Sequence, residues 1–410
     1  MASFFGGLIF SAHATFSSIY IWGDSLSTTT SNTPPSSQYY GLRESNGRTW
    51  VEVLAQRQGL GANSITNPAW SYSSNNLSYY YHLSSDVVND ISRFNPANSV
   101  TNCLFVVWVN NADFVDDLLN PAVGLPNGKN NSNGTNLANW TTAINQHINN
   151  HSNAIVSLYA KGCRTMIAPN AADVTAIPQF AGSGTAYRNF VRQQIISFNA
   201  SYATMLQQIC ASSPGLAIYN PDIFSLLNNV LTNAASYGLT NAVDYYGNSI
   251  DALHNLNPSG LNGPGTNYIF WDYTSPTAAM GEVIADFAQQ CMSPVQFSAI
   301  KQVNGSNRLD VVNMPVGLGG FVDNSTNPVP GSWTSGITNF TGLTSAQSIF
   351  IPTPPLPDGL GSGLTNISGG GTVSIDPNNP GTNSASGTNT FFNSAGQFYR
   401  LRFPYAWNWP

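Results

Sequence analysis

The sequence predicts an α/β protein: a mostly parallel sheet with helices on both faces, followed by a β-sandwich-like C-terminal module. Three observations carry this. Apolar strand-like runs alternate with stretches of helical periodicity as far as Gln290. Those runs end in polar, turn-forming residues, as parallel strands do at a ligand-binding edge. From about residue 294 the pattern changes to short apolar runs separated by Gly, Asn, Ser and Pro, with no helical period.

The first strand is expected in Phe16 to Trp22, closed by Gly23-Asp24-Ser25, a trio suited to a strand-to-helix corner. A polar loop from Thr28 to Tyr40 leads to Ser45-Asn46-Gly47-Arg48, and Trp50, Val51, Leu54 and Ala55 then have helical spacing. Cys103 to Val109 reads as a buried strand ending in Asn110-Asn111-Ala112-Asp113. Thr142 to Tyr159 is a helix, Thr165 to Asn170 a third core strand, Tyr187 to Cys210 a long helix, and Leu216 to Tyr219 a fourth strand. Tyr268 to Asp272 precedes Pro276, which stands at the entrance of a helix over 277–290. In the C-terminal part, Leu309 to Val312, Ser348 to Ile351 and Phe398 to Phe403 are the strand-like runs, and 352–387 reads as a long Gly/Pro/Asn/Ser-rich loop. The expected divisions are 1–14, a possible signal segment; 15–293, the α/β domain; and 294–410, the β-rich module.

Composition narrows the function. Only 8% of the 410 residues are charged and the formal net charge is −6, so no basic patch exists to bind nucleic acid. Solubility then rests on Asn, Ser, Thr and Gly, a balance familiar from secreted proteins, and the apolar Phe4 to Phe10 followed by Ala12-His13-Ala14 resembles a short secretory signal without a basic start. Secretion or a cell-surface location is the expectation, and no stretch is apolar enough to cross a membrane as a helix. Cys103 and Cys163 lie in strand-like runs and read as buried thiols, whereas Cys210 and Cys291 both end helix-like stretches and form the pair worth testing for a disulfide. No Cys, His and Asp cluster has ligand spacing, so neither a metal nor an organic cofactor is implied. Oligomeric state is left open.

The Gly-Asp-Ser corner carries the chemistry. A serine hydroxyl is a weak nucleophile, useful where an exposed turn brings it to a base and to oxyanion donors; its plainer role is to cap the next helix. Gly23-Asp24-Ser25-Leu26, the Ser45 to Glu52 block, Val106-Val107-Trp108 leading to Asp113, and Phe270-Trp271-Asp272 followed by Pro276-Thr277 occur in order over about residues 16–292. Together they resemble the GDSL (SGNH-hydrolase) family of lipases and esterases. The resemblance implies a flavodoxin-like three-layer α/β/α fold and cleavage of a carboxylic ester, of a small molecule or an acylated polysaccharide, by a serine nucleophile.

On that resemblance Ser25 is the nucleophile and Asp272 the acid that orients a histidine. The family pattern Asp-x-x-His-Pro is here Asp272-Tyr273-Thr274-Ser275-Pro276, so Ser275 stands at the histidine position, and a hydroxyl cannot take a proton from Ser25 at neutral pH. Tyr72 aligns with the glycine whose N–H serves the oxyanion hole. Ala112 aligns with the donating asparagine, with Asn110, Asn111 and Asp113 beside it. Losing one oxyanion donor costs about a hundred- to a thousandfold, and losing the base on the order of a millionfold. The candidate substitute bases are histidines, while Asp24 and Asp113 also border the expected site, with helix capping and loop bracing as their plainer roles. His254, in a polar loop before Asp272, is the first; His82 follows it; His13 belongs to the signal-like segment; and His147 and His151, four apart on a helix, suggest a solvated face. Three readings follow: an ester hydrolase with an unorthodox base; a degenerate hydrolase fold that binds a carbohydrate on Trp70, Tyr72 and Tyr79 to Tyr81; and a surface structural protein attached through its C-terminal module.

Overall fold

Strand β1 (Ile19–Gly23) forms where branched and aromatic side chains run without a break, and Ile19, Ile21 and Trp22 are fully buried. The structure is a computed structural model that describes residues 16–29, 38–41, 43–61, 65–66, 82–119, 135–292, 296–303, 306–313, 316, 319–325, 334–342, 346–352, 390–392 and 398–402. The possible signal segment, Trp70, Tyr72, Tyr79 to Tyr81 and the 353–387 part of the expected loop lie outside the described residues.

After β1 come helix α1 (Trp50–Arg57), β2 (Ile65–Thr66), α2 (Ser84–Arg93), β3 (Leu104–Trp108), α3 (Asn110–Leu119), α4 (Leu137–Ala160) and β4 (Thr165–Ile167). There follow α5 (Pro178–Ala181), α6 (Thr185–Ser212), β5 (Ala217–Tyr219), α7 (Ile223–Asn233), α8 (Ala252–Leu256) and α9 (Ala278–Cys291). The five strands pair in parallel in the order β2-β1-β3-β4-β5. That is the flavodoxin-like order, in which the chain reverses direction between β1 and β3 and leaves a crevice at their carboxyl ends. Helix α1 packs on α9, while α4 packs between α2 and α6, giving the helix layers of the α/β/α sandwich.

Strands β6 (Gln296–Val303), β7 (Ser306–Val312), β8 (Gly319–Ser325), β9 (Thr334–Thr341), β10 (Ala346–Pro352), β11 (Thr390–Phe392) and β12 (Phe398–Arg402) form two antiparallel sheets, ordered β10-β7-β6 and β11-β12-β8-β9. Leu309 and Ile349 from one sheet and Val322, Phe340 and Tyr399 from the other share one apolar cluster, the arrangement of a β-sandwich.

Several expectations are corrected. Asn110 to Asp113, read as a polar strand end, is the first turn of α3, which starts two residues after β3 and is buried along almost its whole length. His147 and His151 do not face solvent. His151 is 1% exposed, with Nε2 3.5 Å from Asp113 Oδ2, and His147 lies between Asp113 (3.6 Å) and Asp117 (2.9 Å). The i,i+4 spacing put both rings on one face, but that face is covered by α3. Cys210 and Cys291 are not joined; all four cysteines are buried free thiols, and burial pushes Cys210 and Cys291 each up to about 12.

Burial works to raise the Asp113 carboxyl, but His147 first, then His151 and the Ser84 N–H, outweigh it and hold it below the usual carboxylate range. Burial likewise works to lower His147, and Asp113, followed by Asp117 and Asp116, raises it above the ordinary imidazole value. The lowered carboxyl contributes stability above its unfolded value of about 3.9, lost as pH falls through the folded one; the raised imidazole contributes below about 6.5, lost as pH rises. Asp113→Ala is therefore expected to cost about 3–5 kcal/mol in urea unfolding, with the largest gap from wild type between about pH 4 and 6.5. Gly23 has a different constraint: a Cβ there would lie 2.5 Å from Ser27 Cβ. Gly23→Ala is expected to lower stability by about 1–3 kcal/mol, read from the same unfolding midpoint.

Candidate active site

Ser25 leaves the carboxyl end of β1 in a single 3₁₀ turn, Ser25–Ser27. Asp24 caps that turn, accepting the Leu26 N–H at 3.1 Å, and the Asp24 N–H donates to Trp108 O at 3.2 Å, which ties the turn to β3. Helix α1 fixes it from the other side. The Trp50 Nε1–H donates to Ser27 Oγ at 3.1 Å and the Thr49 hydroxyl to Thr28 O at 2.9 Å.

Ser25 lines two cavities. One is mostly apolar, walled by Leu26, Ala112, Val115, Val174 and Ile177, with Asp24, Asn111 and Thr274 at its polar margin. The other holds Glu44, Ser45, Thr49, Trp50, Pro276 and Arg48. The apolar cavity suits an acyl chain or another aliphatic group.

Asp272 and Ser275 are brought to the same place by a tight turn. The Thr274 and Ser275 N–H groups donate to Asp272 Oδ1 at 2.9 and 2.8 Å, the Tyr39 hydroxyl donates to Oδ2 at 3.0 Å, and the Trp271 N–H closes the turn on Ser275 O at 2.8 Å. The Ser275 hydroxyl donates to Glu44 Oε2 at 3.2 Å. Hydrogen bonding from Ser25 as well as Ser275 favours the ionised Glu44, yet burial first and the charge of Asp272 second push its carboxyl up to about 8. Asp272 is also raised, by burial, against the three donors just named. Asp24 rises to about 7, by burial, although the Leu26 and Ala112 N–H groups oppose the shift.

The remaining predicted residues separate. Asn110 is fully buried and donates through Nδ2 to Pro169 O at 2.9 Å, so it braces the β4 end rather than facing Ser25. Asn111 lines the apolar cavity beside Ser25; its Oδ1 accepts the Ala172 N–H at 2.8 Å, and its Nδ2 has no acceptor among the described residues. Ala112 lines the same cavity, and Asp113 belongs to the histidine cluster behind it. His254 is drawn off: its Nδ1 bonds Asp251 at 2.8 Å, and its ring stacks on Tyr273 with centroids 3.6 Å apart. His82 has both nitrogens engaged, with Gly23 O and with Asp90, each at 2.8 Å. Among the described residues, no hydrogen bond joins a histidine to Ser25.

Glu44 is the residue that sequence reasoning passed over. It immediately precedes the Ser45-Asn46-Gly47-Arg48 block, whereas the sequence pointed to histidines, and beside them to Asp24 and Asp113, at this place. Its neighbour Arg43 holds the segment in place, bonded by its guanidinium to the Glu52 carboxylate, to Thr29 O at 3.1 Å and to Tyr40 O at 3.3 Å.

No family model matches the chain. Two curated GDSL esterase/lipases of Arabidopsis thaliana are similar to it: one 23% identical over 197 residues, 46% of this chain and 48% of the relative; the other 25% identical over 146 residues, 34% and 39%. The chain thus matches less than half the length of each. Among solved structures it is similar to a phospholipase A1 from Streptomyces albidoflavus (TM-score 0.35, 13% identity, 66% of this chain and 97% of that one) and to a gut microbial diltiazem-metabolizing enzyme (TM-score 0.34, 8% identity, 79% and 61%). Scores this low carry no argument about the fold. Four motif blocks in order, a 2-1-3-4-5 parallel sheet with Ser25 at its switch point, and curated relatives of that name together make this chain similar to the GDSL-type (SGNH-hydrolase) esterases and lipases.

Proposed function

We propose that the chain is an ester hydrolase whose nucleophile is Ser25. The observation that carries this reading is the position of Ser25 at the edge where β1 and β3 end, lining both an apolar cavity and a smaller one that Glu44 also lines. A carboxylic ester fits such a site: its acyl chain lies against Leu26, Val115, Val174 and Ile177 in the apolar cavity, with its carbonyl at Ser25. The Ser25 hydroxyl then attacks that carbonyl, and water completes the hydrolysis. Oxyanion donation falls to the Ser25 backbone N–H, as the family resemblance implies, with the Asn111 amide beside it in the apolar cavity.

The substrate class is a carboxylic ester of a small molecule or an acylated carbohydrate, as the family resemblance implies. Binding without turnover has one observation in its favour, the absence of any histidine bonded to Ser25 among the described residues. Hydrolysis of p-nitrophenyl butyrate separates the two. Wild type is expected to turn over and Ser25→Ala to fall to the uncatalysed rate; equal, background rates for both would leave the binding reading.

A further inference from the structure

We propose that Glu44 is the general base of this site, taking over through its carboxylate the task that the family gives to a histidine. The inference rests on the hydrolase reading above and names the residue that activates its nucleophile. Three observations support it, each independent of that reading. Glu44 and Ser25 line the same cavity, so a reacting group on Ser25 is within reach of the carboxyl. The two hydroxyls that face Glu44 are those of Ser25 and of Ser275, the residue at the vacant histidine position, and Ser275 Oγ donates to Oε2 at 3.2 Å. Finally, the loop that presents Glu44 is pinned by the Arg43–Glu52 pair and by the Tyr40 N–H bonded to Ser45 O at 2.9 Å, so the carboxyl is held rather than free to swing.

The chemistry balances with a carboxylate in the histidine's place. As the Ser25 Oγ–carbon bond forms, the hydroxyl proton passes to Glu44; the ester C–O bond breaks and that proton passes to the departing alkoxide. In the second half water forms the new C–O bond, its proton goes to Glu44, and the acyl–Oγ bond breaks as Ser25 takes the proton back. Ser275 holds Glu44 by donating to Oε2, and burial together with the nearby Asp272 charge makes the carboxylate more basic than a free one.

The charged and titratable groups around Glu44 set the pH dependence. They are Asp272 on the turn before α9, Asp24 at the end of β1, and Arg48 on its own loop, which bonds Gln56 at 2.6 Å; Arg43 is turned to Glu52. Burial first, and then the charges of Asp272 and Asp24, push the Glu44 carboxyl up to about 8, and only the ionised form can accept a proton. kcat/KM is therefore expected to rise with pH through a single step near 8, above the step near 6.5 of an unperturbed histidine base.

The test measures p-nitrophenyl butyrate hydrolysis by the full chain from pH 5 to 10, beside covalent labelling of Ser25 by a fluorophosphonate read by intact mass. Glu44→Gln is expected to lower kcat/KM at pH 9 and the labelling rate by about 10²–10⁴-fold, with a thermal melt that shows the variant folded. Glu44→Asp keeps a base set back by one methylene, and is expected to retain part of the activity together with a pH step. Ser275→Ala removes a donor to the ionised form and is expected to move that step to higher pH. Wild-type hydrolysis and labelling matched within threefold by Glu44→Gln, with a step near 6.5 that vanishes in His254→Ala, would overturn Glu44 as base and leave Ser25 as nucleophile. Absence of both turnover and labelling in wild type at every pH would overturn the hydrolase reading, and the role of Glu44 with it.

Discussion

The in-register pairing of β1 with β3, which sets Gly23 opposite Trp108, is the constraint on which the site depends. It ends two buried strands at the same level, so the turn after one and the helix after the other rise side by side from a common edge. The bond from the Asp24 N–H to Trp108 O continues the ladder by one step and fixes where Ser25 begins. Without a side chain on Gly23, Ser27 can fold back over the strand end. The position of Ser25 is thus set by backbone geometry.

The groups around Ser25 are acidic. Asp24, Glu44 and Asp272 crowd around Ser25, and each is raised by burial. Burial and mutual repulsion disfavour three charges so close together, so at neutral pH the cluster retains protons. The Tyr39 hydroxyl and the Thr274 and Ser275 amides spend their donors on Asp272, which leaves Glu44 the more weakly solvated of that pair. The asymmetry follows from chain position: Asp272 opens a tight turn whose amides point back at it, whereas Glu44 sits in a bend with its donors supplied only by hydroxyls.

The fold was legible in the sequence because its signals are local. The buried runs around Ile21, Val106, Ile167 and Ile218 became the central strands, and the helical periods around Leu54, Ile155, Phe198 and Ile284 became α1, α4, α6 and α9. The short β2 and the helices α2, α3, α7 and α8 were not read, since a two-residue strand has no period and Asn-rich helices resemble loops in composition. Of the site, Ser25, Asp272 and Ser275 were named through the family resemblance, because each lies in or beside one of its motif blocks. Glu44 could not be placed, since its approach depends on an Arg43–Glu52 pair and on a turn more than two hundred residues away in the chain. Burial misled the reading of His147 and His151 in the same way: a polar i,i+4 pair normally faces water, and here three aspartates from α3 neutralise it inside.

The four unlinked thiols have a consequence of another kind. Cys103, Cys163, Cys210 and Cys291 lie within the packed interior, and a thiol there meets neither an oxidant nor an alkylating reagent until the surrounding helices and strands part. The chain needs no oxidant to reach this structure and gains nothing from one. Each cysteine therefore serves as a built-in clock for the opening of its own region: the rate at which a given sulfur is modified reports how often that part of the α/β layer breathes, with no label or substitution added to the protein.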